Sequence, residues 1–442
     1  MKTYAIILAA GMGSRMCSDV PKCAFKLIDK PMIEYIVDEI ENEVDEIICV
    51  IGHKGNVIKE ILNDRVKYVY QEKQLGTADA VLQALPFLLE GKSIIIPGDV
   101  PLINKNIINK IFENFNDYLT VVSTIKDNPT GYGRIVRDTS IIKIVEDKEV
   151  NEYERLIKEV NTGVICIDNN LLKKNIVKIN NNNNKGEYYL TDIIELSNEN
   201  EINSYLINDS NILSGVNDLY SLSIVEEYLR DKINKRHMLN GVNIINPKTV
   251  TISNDTIIER GVVIHQNCMI TGKSIIKENC VVTTNSEIYN SILNENVICK
   301  NSVINESIIN KNSSIGPFAH IRNNSIIGEN NRIGNFVEVK NSITNNNTKS
   351  AHLSYLGDSE IGSNVNIGCG SITVNYDGIK KHKTIIGNNV FIGCNSNLIA
   401  PIEIDDNSFI AAGTTVTNKV ESGDFVIGRV KQTNKKGYNI KK

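Results

Sequence analysis

The chain has 442 residues, of which 41% are hydrophobic and 23% are charged, and its net charge is −4. This length predicts two or three domains. The small negative net charge gives no reason to expect nucleic acid or an anionic membrane as partner. The sequence also has no run of about 18 apolar residues, which a membrane-spanning helix would need. The nine cysteines form no C-x-x-C pair, so we expect reduced thiols in a cytoplasmic protein, with neither a disulfide framework nor a cysteine-based metal site.

The first predicted domain, residues 1–220, alternates short apolar runs with amphipathic stretches. Its first run follows Lys2 as in a secretory signal, but it ends at Gly11 without a cleavage site, so we expect a buried strand there. The alternation predicts a Rossmann-like α/β domain with a mostly parallel sheet and ligand sites at the carboxyl ends of its strands. The predicted strands are TYAIILAA, EIICVIG, VKYVYQ, SIIIPGD and YLTVVSTI, and the predicted helices include PMIEYIVDEIENE and TADAVLQALPFLLE.

The segment LAAGMGSRM overlaps the end of the first predicted strand. Gly11 and Gly13 would let backbone N–H groups approach a nucleotide closely, and Arg15 adds a fixed positive charge for phosphates. The segment is not a dinucleotide fingerprint, because Met16 stands where that pattern needs glycine, and it is not a Walker A loop. Lys22 supplies a second cation downstream, as a triphosphate requires. We therefore expect a nucleotide-phosphate site here.

Asp99 follows the buried run SIIIPG. A carboxylate at the carboxyl end of a strand is well placed to hold Mg²⁺ against phosphates. The alternative is an aspartate in an ordinary turn. We favour the metal interpretation because the same domain also contains the glycine loop and its two cations.

A predicted helix at residues 221–241 links this domain to a second one, residues 242–442, which includes a C-terminal tail. In the second domain, aliphatic residues recur every six positions, as in the runs from Ile252 to Ile288, from Val297 to Val339 and from Ile386 to Val416. Hexapeptide repetition is typical of a parallel β-helix, here of about ten coils. Seven aliphatics are followed by glycine, and we expect these glycines to turn corners at positive φ: Gly316, Gly328, Gly334, Gly362, Gly368, Gly387 and Gly393.

The six-residue period is interrupted twice. After Val339 it falls on Asn345 and Ala351 and returns only at Ile361, and TVNYDGIKKHK, residues 373–383, reads as an external loop. Insertions in a solenoid gather on a binding face, so we expect a site between the disturbed wall and this loop. An incidental surface histidine is the alternative for His352, but cations and hydroxyls nearby suit a sugar phosphate, and a neutral imidazole suits proton removal from an amine. The set is Arg322, Lys340, His352, Tyr355, Asn366, Asn375 and Tyr376.

These motifs together resemble the bifunctional N-acetylglucosamine-1-phosphate uridyltransferase / glucosamine-1-phosphate acetyltransferase family. The resemblance covers nearly the whole chain and implies a left-handed β-helix and a homotrimer with acetyl-transfer sites between subunits. The motifs that carry it are LAAGMGSRM, QLGTADA, PGDVPL, NPTGYGRI, IVEDK, EVNTG, GEYYLTD, SGVND, IGPFAHIR, NFVEVK, AHLSYLGD, NIGCGSITVNYDG, HKTIIG and IAAGTTVT.

The resemblance implies two reactions on small molecules. In the first, N-acetylglucosamine 1-phosphate attacks UTP and releases pyrophosphate. In the second, acetyl-coenzyme A acetylates glucosamine 1-phosphate, with His352 as general base. For the first reaction it implies nucleotide contacts by Leu8, Ala9, Ala10, Gly11, Gln71, Gly76 and Thr77, phosphate contacts by Arg15 and Lys22, Mg²⁺ ligation by Asp99 and Asn217, and sugar contacts by Gly133, Glu146 and Asn161. For the second it implies acceptor contacts by Arg322, Lys340, Tyr355 and Asn366, and acetyl-coenzyme A contacts by Asn375, Tyr376, Cys394, Ala412 and Arg429.

The sequence departs from the family's usual pattern at a few positions. Asp79 stands where many relatives carry histidine, Pro97 and the Cys23-Ala24 pair are unexpected, and Cys394 replaces a frequent serine. Two other functions stay open: a nucleotidyltransferase for another sugar 1-phosphate with a β-helix tail, and a non-catalytic scaffold built from the same two folds. The intact charged positions argue against the scaffold.

Overall fold

The computed structural model describes residues 1–11, 13–138, 141–183 and 185–437. The last five residues of the predicted tail, 438–442, therefore lie outside the described residues. The chain forms two compact units, Met1–Leu229 and Arg230–Lys442, and their boundary falls within a 21-residue helix, Leu219–Leu239, at the place of the predicted linker. Across the described ranges, no helix combines the length and apolar character needed to span a bilayer.

The first unit is an α/β domain. Its strands are β1 Lys2–Ala9, β2 Lys26–Leu27, β3 Lys30–Pro31, β4 Glu46–Ile51, β5 Lys67–Tyr70, β6 Gly91–Pro97, β7 Leu119–Ile125, β8 Arg134–Arg137, β9 Ile141–Val145, β10 Glu159–Asp168 and β11 Ile202–Ile207. Its helices are α1 Met32–Ile40, α2 Gly55–Leu62, α3 Thr77–Ala84, α4 Lys105–Glu113 and α5 Asn169–Ile176, followed by α6 Leu219–Leu239, and short 3₁₀ turns lie at Ser14–Met16, Lys22–Ala24, Asn63–Arg65, Leu85–Phe87, Glu154–Leu156, Leu190–Ile193 and Glu199–Glu201.

The central sheet has the strand order β11-β7-β10-β6-β1-β4-β5, with β8 and β9 attached to β10. The pairs of β1 with β4 and β6 are parallel, whereas β10 runs antiparallel to β6 and β7. Alternate residues of β1 enter opposite cores: Ile7 packs on one face of the sheet and Ile6 on the other. Burial on both faces explains why this strand reads as a continuous apolar run, and the expected strand is confirmed.

Helix α3 is shorter than the sequence pattern predicts. The expected helix TADAVLQALPFLLE ends at Ala84, where the 3₁₀ turn Leu85–Phe87 begins. Pro86 lies in that turn, and proline lacks the N–H that an α-helix needs and clashes with the preceding turn. The apolar pattern continues past the proline because Leu88 is buried without being helical.

The second unit is a triangular parallel β-helix. Face 1 consists of Asn243–Ile244, Val263–Ile264, Val281–Val282, Ile298–Cys299, Ser314–Ile315, the first parts of Arg332–Lys340 and Lys349–Gly357, Asn366–Ile367, Phe391–Ile392, Phe409–Ile410 and Phe425–Val426. Face 2 consists of Thr251–Ile252, Met269–Thr271, Glu287–Tyr289, Val303–Asn305, His320–Arg322, the second parts of the same two long strands, Ile372–Val374, Asn397–Ile399 and Thr415–Val416. Face 3 consists of Ile257–Ile258, Ile275–Ile276, Ile292–Leu293, Ile308–Ile309, Ile326–Ile327, Ile343–Thr344, Ser359–Ile361, Thr384–Ile386 and Ile402–Ile404. A 3₁₀ turn at Pro247–Thr249 joins the first strands.

The prism continues through the first apparent interruption of the period. Thr344, Ser350 and Leu356 are buried and follow Val339 inward, so the expected positions Asn345 and Ala351 are wrong by one residue. The reason is that some faces use five residues instead of six, and small polar side chains replace aliphatics inside. The same shift makes Ile304, not Val303, the buried residue of its strand.

Asparagine turns most corners of the prism. Asn267, Asn285 and many others have positive φ, whereas only Gly316 of the seven predicted corner glycines does. Those glycines serve a different purpose, since a Cβ on Gly334 would collide with the Ala351 carbonyl of the next coil. The high asparagine content is explained because its short polar side chain tolerates the left-handed region.

Candidate active sites in each unit

The first unit contains a cavity of about 380 Å³ at the carboxyl ends of its parallel strands. The carboxyl ends of β1 and β6 lie at one edge of the sheet, next to the cavity. The amino-terminal part of β10 lies at the same edge because β10 runs antiparallel to β6. The cavity brings together ten of the residues predicted for the first reaction. They are Leu8, Ala10, Gly11, Lys22, Gln71, Gly76, Thr77, Asp99, Glu146 and Asn161.

Four other predicted residues lie around this lining rather than within it. Ala9 is buried in β1, and the Gly133 carbonyl accepts a hydrogen bond from the Asn161 N–H at 2.9 Å. Arg15 lies in an exposed 3₁₀ turn of the glycine loop, of which Met12 lies outside the described residues. The fourth residue is Asn217. Its side-chain oxygen accepts a hydrogen bond from the Arg15 guanidinium at 2.9 Å, which connects Asn217 to the glycine loop.

Lys22 links the two predicted metal ligands. Its ammonium group forms a short ion pair with Asp99 and also donates to the Asn217 side-chain oxygen at 3.3 Å. The Val216 N–H donates to the Asp99 carbonyl at 2.8 Å, which fixes the Asn217 segment beside the end of β6. Two oxygen atoms from distant parts of the chain therefore share one cation at the cavity wall.

Hydrogen bonds from the side chains of Gln71 and Thr77 fix the part of the cavity wall that is predicted to bind the nucleotide. Gln71 is buried, and its side-chain amide donates to the Gly76 carbonyl at 3.0 Å and to Asp79 at 2.8 Å. Gly76 has φ +125°, and the Thr77 hydroxyl accepts from the Leu190 N–H at 2.9 Å. The unusual Asp79 thus serves as an acceptor that orients the Gln71 amide.

A group of carboxylates surrounds the predicted sugar pocket. Burial raises the pKa of Glu146, and the neighbouring carboxylates Glu149, Asp192 and Glu187 raise it further against the effect of Lys185. Burial together with nearby carboxylates raises the pKa of Asp192 to about 6. Carboxyl oxygens accept hydrogen bonds, which suits the hydroxyl and amide groups of a sugar.

Sequence reasoning assigned no role to two residues that line this cavity, Glu187 and Thr191. Both belong to the motif GEYYLTD, so the motif itself was the available clue. The Thr191 hydroxyl is buried and has no hydrogen-bond partner among the described residues. A buried hydroxyl without a partner at a cavity wall is available to a ligand.

Two of the departures from the family's usual pattern, Pro97 and Cys23, line the cavity. A Cβ on Gly163 would lie 2.7 Å from the Pro97 ring, and a Cβ on Gly98 would lie 2.8 Å from the Cys23 sulfur. Burial raises the pKa of the Cys23 thiol to about 12, so it stays protonated beside Asp99. These residues fill space beside the charged groups.

His352 lies at the corner between faces 1 and 2 of the second unit. Its Nδ1 is 2.7 Å from the side-chain oxygen of Asn335, directly opposite in the preceding coil, and the imidazole is exposed. When Nδ1 carries the proton and donates it to that oxygen, Nε2 is left with a free lone pair. The arrangement therefore presents a proton acceptor to solvent.

Cations converge at the end of face 2 that lies away from this corner. Arg322 and Lys340 occupy matching positions in adjacent coils, and Arg322 is paired with Glu338 at 2.9 Å. Contact with the Lys381 ammonium group lowers the pKa of Lys340. Lys381 was missed by sequence reasoning, and its clue was the basic stretch at the end of the predicted external loop.

The external loop is present and begins at Asn375, two residues later than predicted, because face 2 includes a strand to Val374. The Asn375 amide donates to Asp358 at 2.5 Å and lies 3.4 Å from the Tyr355 hydroxyl, while Tyr376 is exposed. The loop is thereby attached to the wall that carries Tyr355.

The remaining predicted residues lie elsewhere on the prism. Asn366 is on face 1, opposite Lys349 and Phe391 in the neighbouring coils. Cys394 and Ala412 lie at the same corner as His352, further along the prism, and the Arg429 guanidinium donates to the Ala412 carbonyl at 2.6 Å. Asn366 and the face 2 cations therefore lie on two different faces of the prism.

Comparison with known families supports both units. Residues 5–156 match the MobA-like NTP transferase domain, residues 252–350 match the GMPPB C-terminal domain, and residues 383–418 match the bacterial transferase hexapeptide family. The expected fold class is confirmed: an α/β nucleotidyltransferase domain with a mostly parallel sheet, followed by a left-handed parallel β-helix of hexapeptide repeats.

Several relatives are similar over their full length. A protein of Acholeplasma laidlawii, named bifunctional protein GlmU, is 52% identical over 99% of this chain and 97% of its own. Proteins of the same name from Thermoanaerobacter pseudethanolicus and Clostridium botulinum are 46% and 44% identical, covering 98% and 100% of this chain and 96% and 99% of their own. Identity at this level over nearly the whole of both chains shows that this chain belongs to the bifunctional GlmU family.

Proposed function

We propose that the chain catalyses two steps of UDP-N-acetylglucosamine synthesis: acetyl transfer from acetyl-coenzyme A to glucosamine 1-phosphate, then transfer of UMP from UTP to N-acetylglucosamine 1-phosphate. Family membership supports both activities. The observation that carries the proposal is the contact of Lys22 with both Asp99 and Asn217, since Lys22 and Asp99 line the cavity that also holds the predicted nucleotide residues.

Uridylyl transfer requires no protein nucleophile, because the sugar phosphate itself attacks the α-phosphorus. The protein positions two anions and offsets their charge. Leu8 to Gly11, Gln71, Gly76 and Thr77 would bind the nucleotide, with Arg15 and Lys22 against its phosphates, while Gly133, Glu146 and Asn161 would bind the acetylated sugar. Burial and neighbouring carboxylates raise the pKa of Glu146, and its half-buried position in the cavity lining supports a hydrogen-bonding role towards the sugar.

The oxygen atoms of Asp99 and Asn217 fit Mg²⁺. Both already accept from the Lys22 ammonium group, which shows that they share one cation. Within the described ranges no cluster of three or more His, Cys, Asp or Glu residues is suited to a metal, so two protein oxygens and the substrate phosphates would complete the shell, as is usual for this ion. When bound, Mg²⁺ supplies charge neutralisation of the phosphates.

Acetyl transfer needs removal of a proton from the substrate's amino group. His352 is placed for this role because Asn335 holds Nδ1 and leaves Nε2 free. Arg322, Lys340 and Tyr355 would bind the sugar phosphate together with Asn366, and Lys381 adds a further cation close to Lys340. Asn375, Tyr376, Cys394, Ala412 and Arg429 would contact acetyl-coenzyme A.

The geometry of face 1 and face 2 supports a homotrimer with shared acetyl-transfer sites. Face 1 carries Asn366 and face 2 carries the cations, and outward side chains on two faces of a convex prism cannot enclose one small sugar phosphate. A neighbouring chain must then supply one of the two groups.

An apolar ridge at the corner that carries His352 supports this assembly. Phe318, Phe336 and Leu353 are 55%, 56% and 58% exposed and have positive φ, at corner positions that are asparagine or glycine in other coils. The two phenylalanine rings stack with centroids 5.4 Å apart. Exposed apolar side chains in strained backbone positions fit an interface with another copy of the chain.

The test is an assay of both half-reactions on one preparation, with and without Mg²⁺. We expect UDP-N-acetylglucosamine to form from UTP and N-acetylglucosamine 1-phosphate only with Mg²⁺, and acetyl transfer to proceed in both conditions. A strong preference for glucose 1-phosphate would refute the sugar specificity. For assembly, sedimentation should give a mass near three chains, and a monomer with full acetyl-transfer activity would refute the shared site.

A further inference from the structure

We propose that Cys369 and Cys394 form a vicinal dithiol that closes reversibly to a disulfide and blocks acetyl transfer when a peroxide is present. The blocking effect rests on the proposed acetyltransferase function, whereas the disulfide itself does not. Both cysteines are free and exposed, unlike the buried Cys268, Cys280 and Cys299 of the same unit.

The strand register places the two thiols in adjacent coils. Ile367 pairs with Ile392 before the corner and Ile372 pairs with Asn397 after it, an offset of 25 on both sides, so Cys369 is aligned with Cys394. The Asn395 N–H donates to the Cys369 carbonyl at 2.8 Å, which joins the two coils at this point. In-register neighbours lie about 4.8 Å apart, within the roughly 4.4–6.8 Å Cα separation that disulfides span.

The same register brings the pair next to the proposed general base. Lys349 pairs with Asn366 and Tyr355 with Ile372, an offset of 17 on both sides, so His352 is aligned with Cys369 in the following coil. On the other side, Ile392 pairs with Ile410 and Asn397 with Thr415, an offset of 18, so Cys394 is aligned with Ala412. The corner row His352, Cys369, Cys394 and Ala412 thus runs along the proposed acetyl-coenzyme A site.

Flanking glycines let the backbone adjust to the bond. Cys369 lies between Gly368 and Gly370, and Gly393 precedes Cys394. Straight neighbours in a parallel sheet hold their Cβ atoms further apart than the roughly 3.8 Å that is usual in disulfides, so the bond needs a small shift and is expected to be easily reduced. A site that admits acetyl-coenzyme A also admits a peroxide and a reducing thiol.

The chemistry is a two-electron oxidation by hydrogen peroxide. The Cys369 sulfur, as thiolate, attacks one peroxide oxygen, the O–O bond breaks, and sulfenic acid and hydroxide form; the hydroxide takes a proton to become water. The Cys394 thiol then loses its proton and attacks the Cys369 sulfur, so the S–S bond forms, the S–O bond breaks and a second water leaves. A dithiol reductant returns both protons and both electrons. His352 in the adjacent coil is a proton acceptor for the first thiol.

The experiment treats the full-length protein with hydrogen peroxide, alkylates the remaining thiols and digests it for mass spectrometry. We expect one linked peptide pair, Cys369 to Cys394 within a single chain, lighter by two hydrogens. Acetyl transfer should fall about tenfold or more and return with dithiothreitol, because displacement of a reacting group by about 1 Å is enough for such a loss. Uridylyl transfer in the same sample should stay unchanged.

Two variants that each remove one exposed thiol provide the comparison. Cys369→Ala should keep acetyl transfer after peroxide, whereas Cys17→Ser, in the first unit, should be inhibited like the natural sequence. The proposal is overturned if no linked pair forms or if Cys369→Ala is inhibited equally. A linked pair in a protein whose reduced form has no acetyl-transfer activity would instead refute the proposed function and leave the dithiol established.

Discussion

Replacing His352 by alanine tests the assignment of the general base directly. The imidazole is exposed and forms a 2.7 Å hydrogen bond with Asn335 at the surface, so its loss leaves the core of the prism intact. A positioned general base contributes about 10²–10⁴ in rate. We therefore expect kcat for acetyl transfer to fall by about that factor, equivalent to roughly 3–5 kcal/mol of barrier.

Acetyl transfer should be followed by chromatography of acetylated glucosamine 1-phosphate, because reagents that report the free thiol of coenzyme A also react with exposed cysteines. Asn335→Ala should reduce kcat by a smaller factor, about 10-fold, since it removes only the bond that holds Nδ1. Uridylyl transfer serves as the internal control in both variants. Equal loss of both activities, or acetyl transfer unchanged in His352→Ala, would refute the reasoning.

Three further outcomes are expected. Asp99→Asn, like removal of Mg²⁺ by a chelator, should lower uridylyl transfer about 100-fold with acetyl transfer intact, and equal loss of both would contradict separate sites. Gly334→Ala should lower the free energy of unfolding of the second unit by about 1–3 kcal/mol in urea titrations, because its Cβ meets the Ala351 carbonyl; an unchanged urea midpoint would contradict this collision. Burial lowers the pKa of His237 from 6.5 to about 4, so the unfolded chain binds its proton first and stability falls as pH drops from about 6.5 to 4. That loss, about 3 kcal/mol in total, should be absent in His237→Asn, and identical pH profiles would refute it.

Local patterns in the chain were sufficient for the α/β strands, the linking helix and the β-helix. The strand Lys2–Ala9 was predictable because burial on both faces of a parallel sheet demands a continuous apolar run, and the prism because each coil places an aliphatic inward. The glycine loop, Lys22 and Asp99 were likewise recognisable, since their chemistry follows from residue type and from their position at strand ends.

Contacts between distant segments could not be read from the chain, because they depend on how coils and loops stack. Asn217 meets Lys22 across 195 positions, and Lys381 reaches Lys340 only because an external loop folds back on its wall. The five-residue faces that keep Ser350 buried and the alignment of Cys369 with Cys394 likewise depend on the register between coils, which a six-residue pattern in one coil does not determine.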